Sequence, residues 1–322
     1  MRFHAMAAAL LAAAAQMATP ARAEFPDRPI RLVIPLPPGG SNDIIGRVVG
    51  NGMAARLGQP VIVENRSGAS GMLGAQAVAR AAADGHTVLL AGGAFTVNNL
   101  IRADLPYDPA ADFAPIGLIG STAIAVFVHP SVPAHNLREL QAAARQARPL
   151  LHFASSGIGT TGHAAGLMLN LVLGVEMDHV SYRGSGPVLN DLLAGRVQVY
   201  PVVLAPMLSY IRAGSLRAVA VSGARRNASA PELSTAAEQG FPEFSAENWY
   251  GLMTTGGTPP AHVATLFHAL AAALADPDVR TKLQEAGLDV TPSGSPQDFA
   301  RYLADDVARW QPVIRSANVH LE

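Results

Sequence analysis

The sequence predicts an α/β protein folded as two lobes with a ligand cleft between them. Three observations carry this. Short apolar strand-like runs alternate with helical patterns along the chain, as in sheets built from βα units. At about 300 residues after its opening segment, the chain is long enough for two domains. Two extended segments, 116–128 and 249–254, read as crossings between the domains. If both cross, one lobe is built from both ends of the chain and the other from its middle. Such an arrangement leaves a cleft where α/β ligand sites commonly lie.

The elements follow in order. Ile30 to Leu36 is a short apolar run closed by Pro35, Pro37 and Pro38. Ser41, Asn42 and Asp43 are helix starters. Ile44, Ile45, Val48, Val49, Met53 and Leu57 then recur at helical spacing up to Gly58. A strand at 61–63, a helix at 72–83 and a strand at 87–90 come next. The unit recurs with helices at 137–147, 164–173 and 188–194 and extended runs at 151–154, 179–182, 197–203 and 216–221. Strands separated by helices predict a parallel sheet. Two helices follow Pro259 and Asp276. The last helix places Phe299, Leu303, Val307, Trp310 and Ile314 on one face, a core-packing pattern.

Bulk properties exclude several classes. The 322 residues carry 23 Lys+Arg and 24 Asp+Glu, a net charge of −1 with no basic stripe. That argues against a nucleic-acid partner. There is no cysteine, so no disulfide, thiolate metal site or cysteine-linked lipid anchor. The chain opens with Arg2 and His4, an Ala/Leu run from Ala5 to Ala15, and Ala21-Arg22-Ala23. This reads as a signal peptide over residues 1–23, cleaved after Ala23, and too short to span a bilayer. An exported chain without disulfides fits a bacterial periplasm.

Three glycine-rich loops lead from strand to helix. Pro37-Pro38-Gly39-Gly40-Ser41-Asn42-Asp43 can offer backbone N–H groups and a helix N-terminus to an anion. The blander reading is a capped turn. Ser155-Ser156-Gly157-Ile158-Gly159-Thr160-Thr161-Gly162-His163 contains a formal G-x-G-x-x-G with Glu176 downstream. A dinucleotide reading is set aside, because the match is short and mid-chain in an exported protein. The same geometry suits a carboxylate, with Ser156, Thr160 and Thr161 as hydroxyl donors and His163 as a ring donor. Tyr182-Arg183-Gly184-Ser185-Gly186-Pro187 is the third loop. Tyr182 can present a hydroxyl, and Arg183 reads as a solvated cation or an anion partner. G-x-S-x-G and H-E-x-x-H are absent, and the ten histidines lack metal-ligand spacing. These features read as binding rather than turnover, with no metal and no cofactor.

At these loops the sequence resembles the tripartite tricarboxylate transporter receptors, also called Bug solute-binding proteins. Pro29-Ile30-Arg31-Leu32-Val33, the Pro37–Arg47 stretch, Leu57–Arg66, Asp84–Leu90, Leu105–Pro109 and Asp112–Ile116 carry it. Ser156-Gly157, Gly159-Thr160, His163, Tyr182-Arg183-Gly184 and Asn248–Leu252 complete an ordered series over the mature chain. The resemblance implies a two-lobed periplasmic binding protein of type II, a Venus flytrap. Lobe 1 is expected over 24–122 plus 247–322 and lobe 2 over 123–246, with hinges near Ala123 and Ala246. It implies a monomer that takes a small organic acid and passes it to a two-subunit membrane permease. The expected ligand-binding set is Pro38, Gly39, Gly40, Ser41, Asn42, Phe95, Ser156, Gly157, Gly159, Thr160, His163, Tyr182, Gly184 and Val202.

Departures from the family pattern bear on the ligand. Leu36 stands where family members commonly have Phe. Ala91-Gly92-Gly93-Ala94-Phe95-Thr96 replaces a Ser/Thr-rich loop, and Val202 lies near a common acidic position. These suggest a less polar acid and argue against an amino acid. A sensor of the same fold, signalling to a membrane kinase, is the alternative reading. An exported hydrolase is a third, and the cleft loops offer it no nucleophile and base.

Overall fold

The computed structural model describes residues 24–223, 225–227 and 229–317. The signal-peptide reading of residues 1–23 lies outside them. Nine strands are described: β1 (Ile30–Ile34), β2 (Val61–Asn65), β3 (Thr87–Gly92), β4 (Phe113–Val128), β5 (His152–Ser155), β6 (Asp178–Ser181), β7 (Val199–Val203), β8 (Arg217–Val221) and β9 (Glu247–Thr255). The α-helices among the described residues are α1 (Ser41–Leu57), α2 (Met72–Ala79), α3 (Gly93–Ile101), α4 (Leu137–Gln146), α5 (Thr161–Leu173), α6 (Ser185–Leu193), α7 (Leu208–Arg212), α8 (Pro260–Ala275), α9 (Pro277–Glu285) and α10 (Pro296–Ser316). None of these helices is long and apolar enough to cross a membrane.

The strands run in the order β2-β1-β3-β9-β4-β7-β5-β6, with β8 also paired to β4. The expectation of a parallel sheet holds only at its two ends. β1 is parallel to β2 and β3, and β5 is parallel to β6 and β7. In the middle, β9 is antiparallel to β3 and β4, and β4 is antiparallel to β7 and β8. The sheet is therefore mixed. The reason is the chain path: β4 leaves the first half of the sheet and β9 returns to it, so the two run in opposite senses.

β4 is the long strand at which the sheet changes partners. From Phe113 to Ala123 it pairs with β9. From Ile124 it pairs with β7, and from Ala125 with β8. Its register slips near Pro115–Gly117 and Leu118–Gly120, and such bulges bend a strand. A side chain at Gly120 would overlap the carbonyl of Asp289, which is bridged to Ser121.

Each lobe has its own apolar core. In the first, Ile45, Val49 and Met53 repeat every four residues along α1 and bury against Ile30, Leu32 and Leu90. Leu266, Leu270 and Leu274 of α8 close that layer. In the second, Phe127, Tyr200 and Val221 pack with Val188 and Leu192 of α6. The apolar stripe of α10 serves both lobes. Phe299 packs on Trp249, while Trp310, Val313 and Ile314 join a cluster with Met168 and Leu169 of α5 and Val97 and Ile101 of α3. Val307, expected on that stripe, is 37% exposed.

Candidate functional site

Four helix starts at glycine-rich strand ends bear on the site, and three of them meet on β9. The first is α1. Its N-cap is Gly40, in an extended conformation, and no side chain caps it. Helical geometry leaves the first amides of any helix without intrahelical partners, so those of Ser41 and Asn42 remain available. Pro37, Pro38, Gly39 and Gly40 are exposed, and Ser41 and Asn42 are half-buried. A side chain on Gly39 or Gly40 would meet nothing within 4 Å, so the loop faces open space.

This loop is held from beneath by Asp43. Its carboxylate accepts from the Gly39 amide at 3.0 Å, from Arg47 Nε at 3.1 Å and from Asn65 Nδ2 at 3.0 Å. Asn65 also donates to the Leu36 carbonyl. The Arg47 hydrogen bond, helped by the Gly39 amide and Asn65 and opposed by desolvation, holds the Asp43 pKa down at about 2. Gly39 itself takes a left-handed φ of 86°, which glycine adopts without strain.

The second start is α3, a helix over residues for which the glycine pair predicts a loop. Its N-cap Gly92 is also uncapped by any side chain. Ala94, Val97, Asn98 and Ile101 have helical spacing, and Val97, Asn98 and Ile101 are buried, so the signal was present but masked by the Gly-Gly pair. Phe95 packs into the first lobe, with its ring centroid 5.2 Å from Phe113 and 6.1 Å from Tyr107.

The third start is α5, and it is tied internally. Thr160 Oγ1 accepts from the His163 amide at 3.3 Å and donates to the Gly157 carbonyl at 2.7 Å. His163 is buried. Its Nδ1 accepts from the Gly159 amide at 3.4 Å, and its ring lies 4.3 Å from that of His179. Ser155 Oγ lies 2.8 Å from His179 Nε2 and accepts from the Gly157 amide. Burial lowers both histidine pKa values to about 4, with the neighbouring His179 adding to the effect on His163. A neutral His163 is what the Gly159 bond requires, because a protonated Nδ1 cannot accept.

The fourth start is α6. Its N-cap Gly184 has φ of 106° and open space around it. The Gly184 amide donates to the Ser156 carbonyl at 3.0 Å, and Tyr200 donates to Ser185 Oγ at 3.1 Å. Tyr182 donates to Asp191 Oδ2 at 2.8 Å, and desolvation together with that carboxylate raises its pKa to about 12. Arg183 is exposed. Val202 is half-buried, opposite Ala125 in β4 and packed on the second-lobe core.

β9 joins the starts of α1, α3 and α5. Thr161 Oγ1 donates to Asn248 Oδ1 at 2.9 Å. A side chain on Gly93 would press on both Thr161 and Asn248. The buried Tyr250 hydroxyl has Asn248, Thr122 and Ser41 as its polar neighbours, and burial raises its pKa to about 12. Thr122, Asn248 and Tyr250 form a polar floor that the sequence reading did not single out as ligand-binding. Asn248 and Tyr250 sit in a Trp/Tyr-centred strand, a composition that reads as core. Among the described residues no group of three or more metal-ligating side chains is present.

This arrangement agrees with the similarity of the chain to known proteins. Residues 45–319 match the model of the tripartite tricarboxylate transporter family receptor. Protein BugT of Bordetella pertussis is 33% identical over 314 residues, covering 96% of each chain. The periplasmic binding protein BugD has a similar structure, with a TM-score of 0.81 and 30% identity, covering 92% of this chain and 100% of its own. An R. palustris protein solved with adipate gives 0.83 and 34%, covering 92% and 99%. MatC from Rhodopseudomonas palustris, solved with bound malate, gives 0.80 and 31%, covering 90% and 100%. These likenesses extend over both lobes and the loops between them, and the chain belongs to the tripartite tricarboxylate transporter receptor family of two-lobed periplasmic solute-binding proteins.

Proposed function

We propose that this protein is a periplasmic receptor that closes on a small organic carboxylate and delivers it to a two-subunit membrane permease. The observation that carries the reading is the meeting of helix starts on β9, with the α1 start left open. Charge-assisted bonds from the Ser41 and Asn42 amides to one carboxylate, aided by the helix dipole, supply the anion affinity. The adipate and malate carried by two similar structures support an organic acid. Delivery to a permease is supported by the family to which the chain belongs.

In this reading the lobes are 24–122 with 247–322, and 123–246. The change of β4 partners at Ala123/Ile124 and the start of β9 at Glu247 support these boundaries. Gly39, Gly40, Ser41 and Asn42 hold the anion, with Pro38 shaping their loop. Ser156, Gly157 and Gly184 border the ligand from the second lobe. Gly159, Thr160, His163 and Tyr182 act mainly by holding the second-lobe loops, because their polar groups already have protein partners. Phe95 and Val202 set an apolar border.

The test is a thermal-shift screen of refolded mature protein, beginning at Glu24, against mono-, di- and tricarboxylates and matched neutral amides. The melting temperature should rise with the logarithm of acid concentration and stay fixed with the amides. Stabilisation by amides as strong as by acids would contradict the carboxylate reading.

A further inference from the structure

We propose that Ser70 and Asn98 form a clasp between the lobes, which sets how firmly the receptor stays shut without either side chain serving as a ligand contact. Ser70 lies in the first lobe and donates its hydroxyl to the carbonyl of Ile158, in the second-lobe loop, at 2.8 Å. The Ser70 carbonyl accepts from Asn98 Nδ2 at 3.0 Å, and the same amide donates to Ala94 at 2.9 Å. Asn98 is 2% exposed, and its Oδ1 has no hydrogen-bond partner among the described residues. That oxygen abuts Gly159, where a Cβ would overlap it. The 68–71 turn of the first lobe and the second-lobe loop are thus bridged by protein alone.

The turn that carries Ser70 is strained. Gly68, Ala69, Ser70 and Gly71 have φ values of 139°, 47°, 53° and 98° in succession. Ala69 and Ser70 are the only non-glycine residues with positive φ among the described residues. L-residues avoid this region because Cβ crowds the following carbonyl, and such outliers persist only where surrounding contacts hold them. The anchors are visible. Gly74 approaches Pro35 too closely for a larger residue, Gly71 lies tightly against the same ring, and the Arg66 amide donates to the Ile34 carbonyl at 2.8 Å. Pro35 directly precedes the Leu36–Gly40 loop. The turn therefore transmits the position of the anion loop to Ile158 and Gly159, and through the Gly159 amide to His163.

The clasp differs in kind from the apolar inter-lobe contact. Val97 and Ile101 of α3 share a buried apolar cluster with Ala164, Ala165 and Met168 of α5 and Trp310 of α10. Such a seam is costly to part. A single hydroxyl–carbonyl bond from a strained turn can be exchanged for water at small cost. It is suited to opening and closing repeatedly, while the seam keeps the lobes aligned.

The test needs no ligand, so its failure is separate from failure of the carboxylate reading. Small-angle scattering of refolded, ligand-free protein is compared for wild type, Ser70→Ala and Gly159→Ala, with far-UV circular dichroism confirming the fold of each. Loss of one neutral hydrogen bond should lower the closed-to-open ratio about two- to twelve-fold in Ser70→Ala, seen as a larger radius of gyration. Gly159→Ala, which drives a methyl against Asn98, should increase the radius further. Radii unchanged from wild type in both folded variants would overturn the clasp. If Gly159→Ala does not fold, an unchanged radius in Ser70→Ala alone overturns it.

Discussion

The loops that open α1 and α5 look alike in sequence and differ in how their hydrogen bonds are used. Both follow a strand, both are rich in glycine and hydroxyls, and both begin a helix. At α1 no side chain caps the helix, the glycines face open space, and the supporting carboxylate of Asp43 grips the loop from below. At α5 Thr160 caps the helix by accepting from the His163 amide, and Ser155 and His163 accept from the Gly157 and Gly159 amides. A glycine-rich helix start is therefore not an anion site by pattern alone. What matters is whether its amides are left unpartnered. The uncapped start of α1 supports the proposal that the first lobe holds the charge and the second supplies a shaped wall.

Acidification should separate the two loops most sharply. His163 and His179 titrate near 4 in the folded protein against about 6.5 when free. Between those values the unfolded chain binds protons that the folded one does not, so stability falls as pH drops from about 6.5 to about 4. The slope should be at most about 1.4 kcal/mol per pH unit for each histidine. Denaturant melts across that range should show it, and a His179→Phe variant should flatten it. A wild-type slope of zero would mean that the buried pair does not govern the second loop.

Asp43 supplies the opposite case, with a smaller effect at lower pH. Its folded pKa near 2 lies below the free value, so its contribution is fully present above about 4 and is lost as pH falls toward 2. Asp43→Asn at neutral pH should cost about 2 kcal/mol of stability and weaken ligand binding by loosening Gly39. An Asp43→Asn variant with unaltered affinity would show that the loop holds its shape without this support. The smallest effect is expected at the α5 cap. Thr160→Ala should cost about 1 kcal/mol, the usual value of an N-cap, with a modest change in affinity. A loss of affinity larger than that caused by Asp43→Asn would reverse the roles assigned to the two loops.

Much of this was legible from the chain. The alternation of apolar strands and helices predicted the α/β class, and the three glycine-rich loops lie between strand and helix as the sequence places them. The mixed sheet was not legible, because alternation does not reveal the direction of a strand that returns from another lobe. α3 was hidden because Gly92-Gly93 signals a turn, whereas here those residues allow close approach to Trp249, Thr161 and Asn248. His163 and Tyr182 were visible as polar residues near loops, but sequence could not show that His163 faces His179 or that Tyr182 is held by Asp191. Asn248 and Tyr250 look like core in the sequence and are core by burial or part-burial, yet their polar ends form the floor beneath three helix starts.

The most direct test of the central claim is calorimetric titration of adipate and malate into wild-type protein and Ser41→Pro. Proline is well tolerated at the first position of a helix, and Gly40 before it is already extended, so α1 should be preserved. The substitution deletes one amide donor. Loss of a charge-assisted hydrogen bond, at about 1.5–3 kcal/mol, should weaken whichever acid binds by about 10- to 100-fold while the melting temperature of the free protein barely changes. Equal affinity in the two proteins would contradict the account, because the carboxylate would then be held somewhere other than the open start of α1.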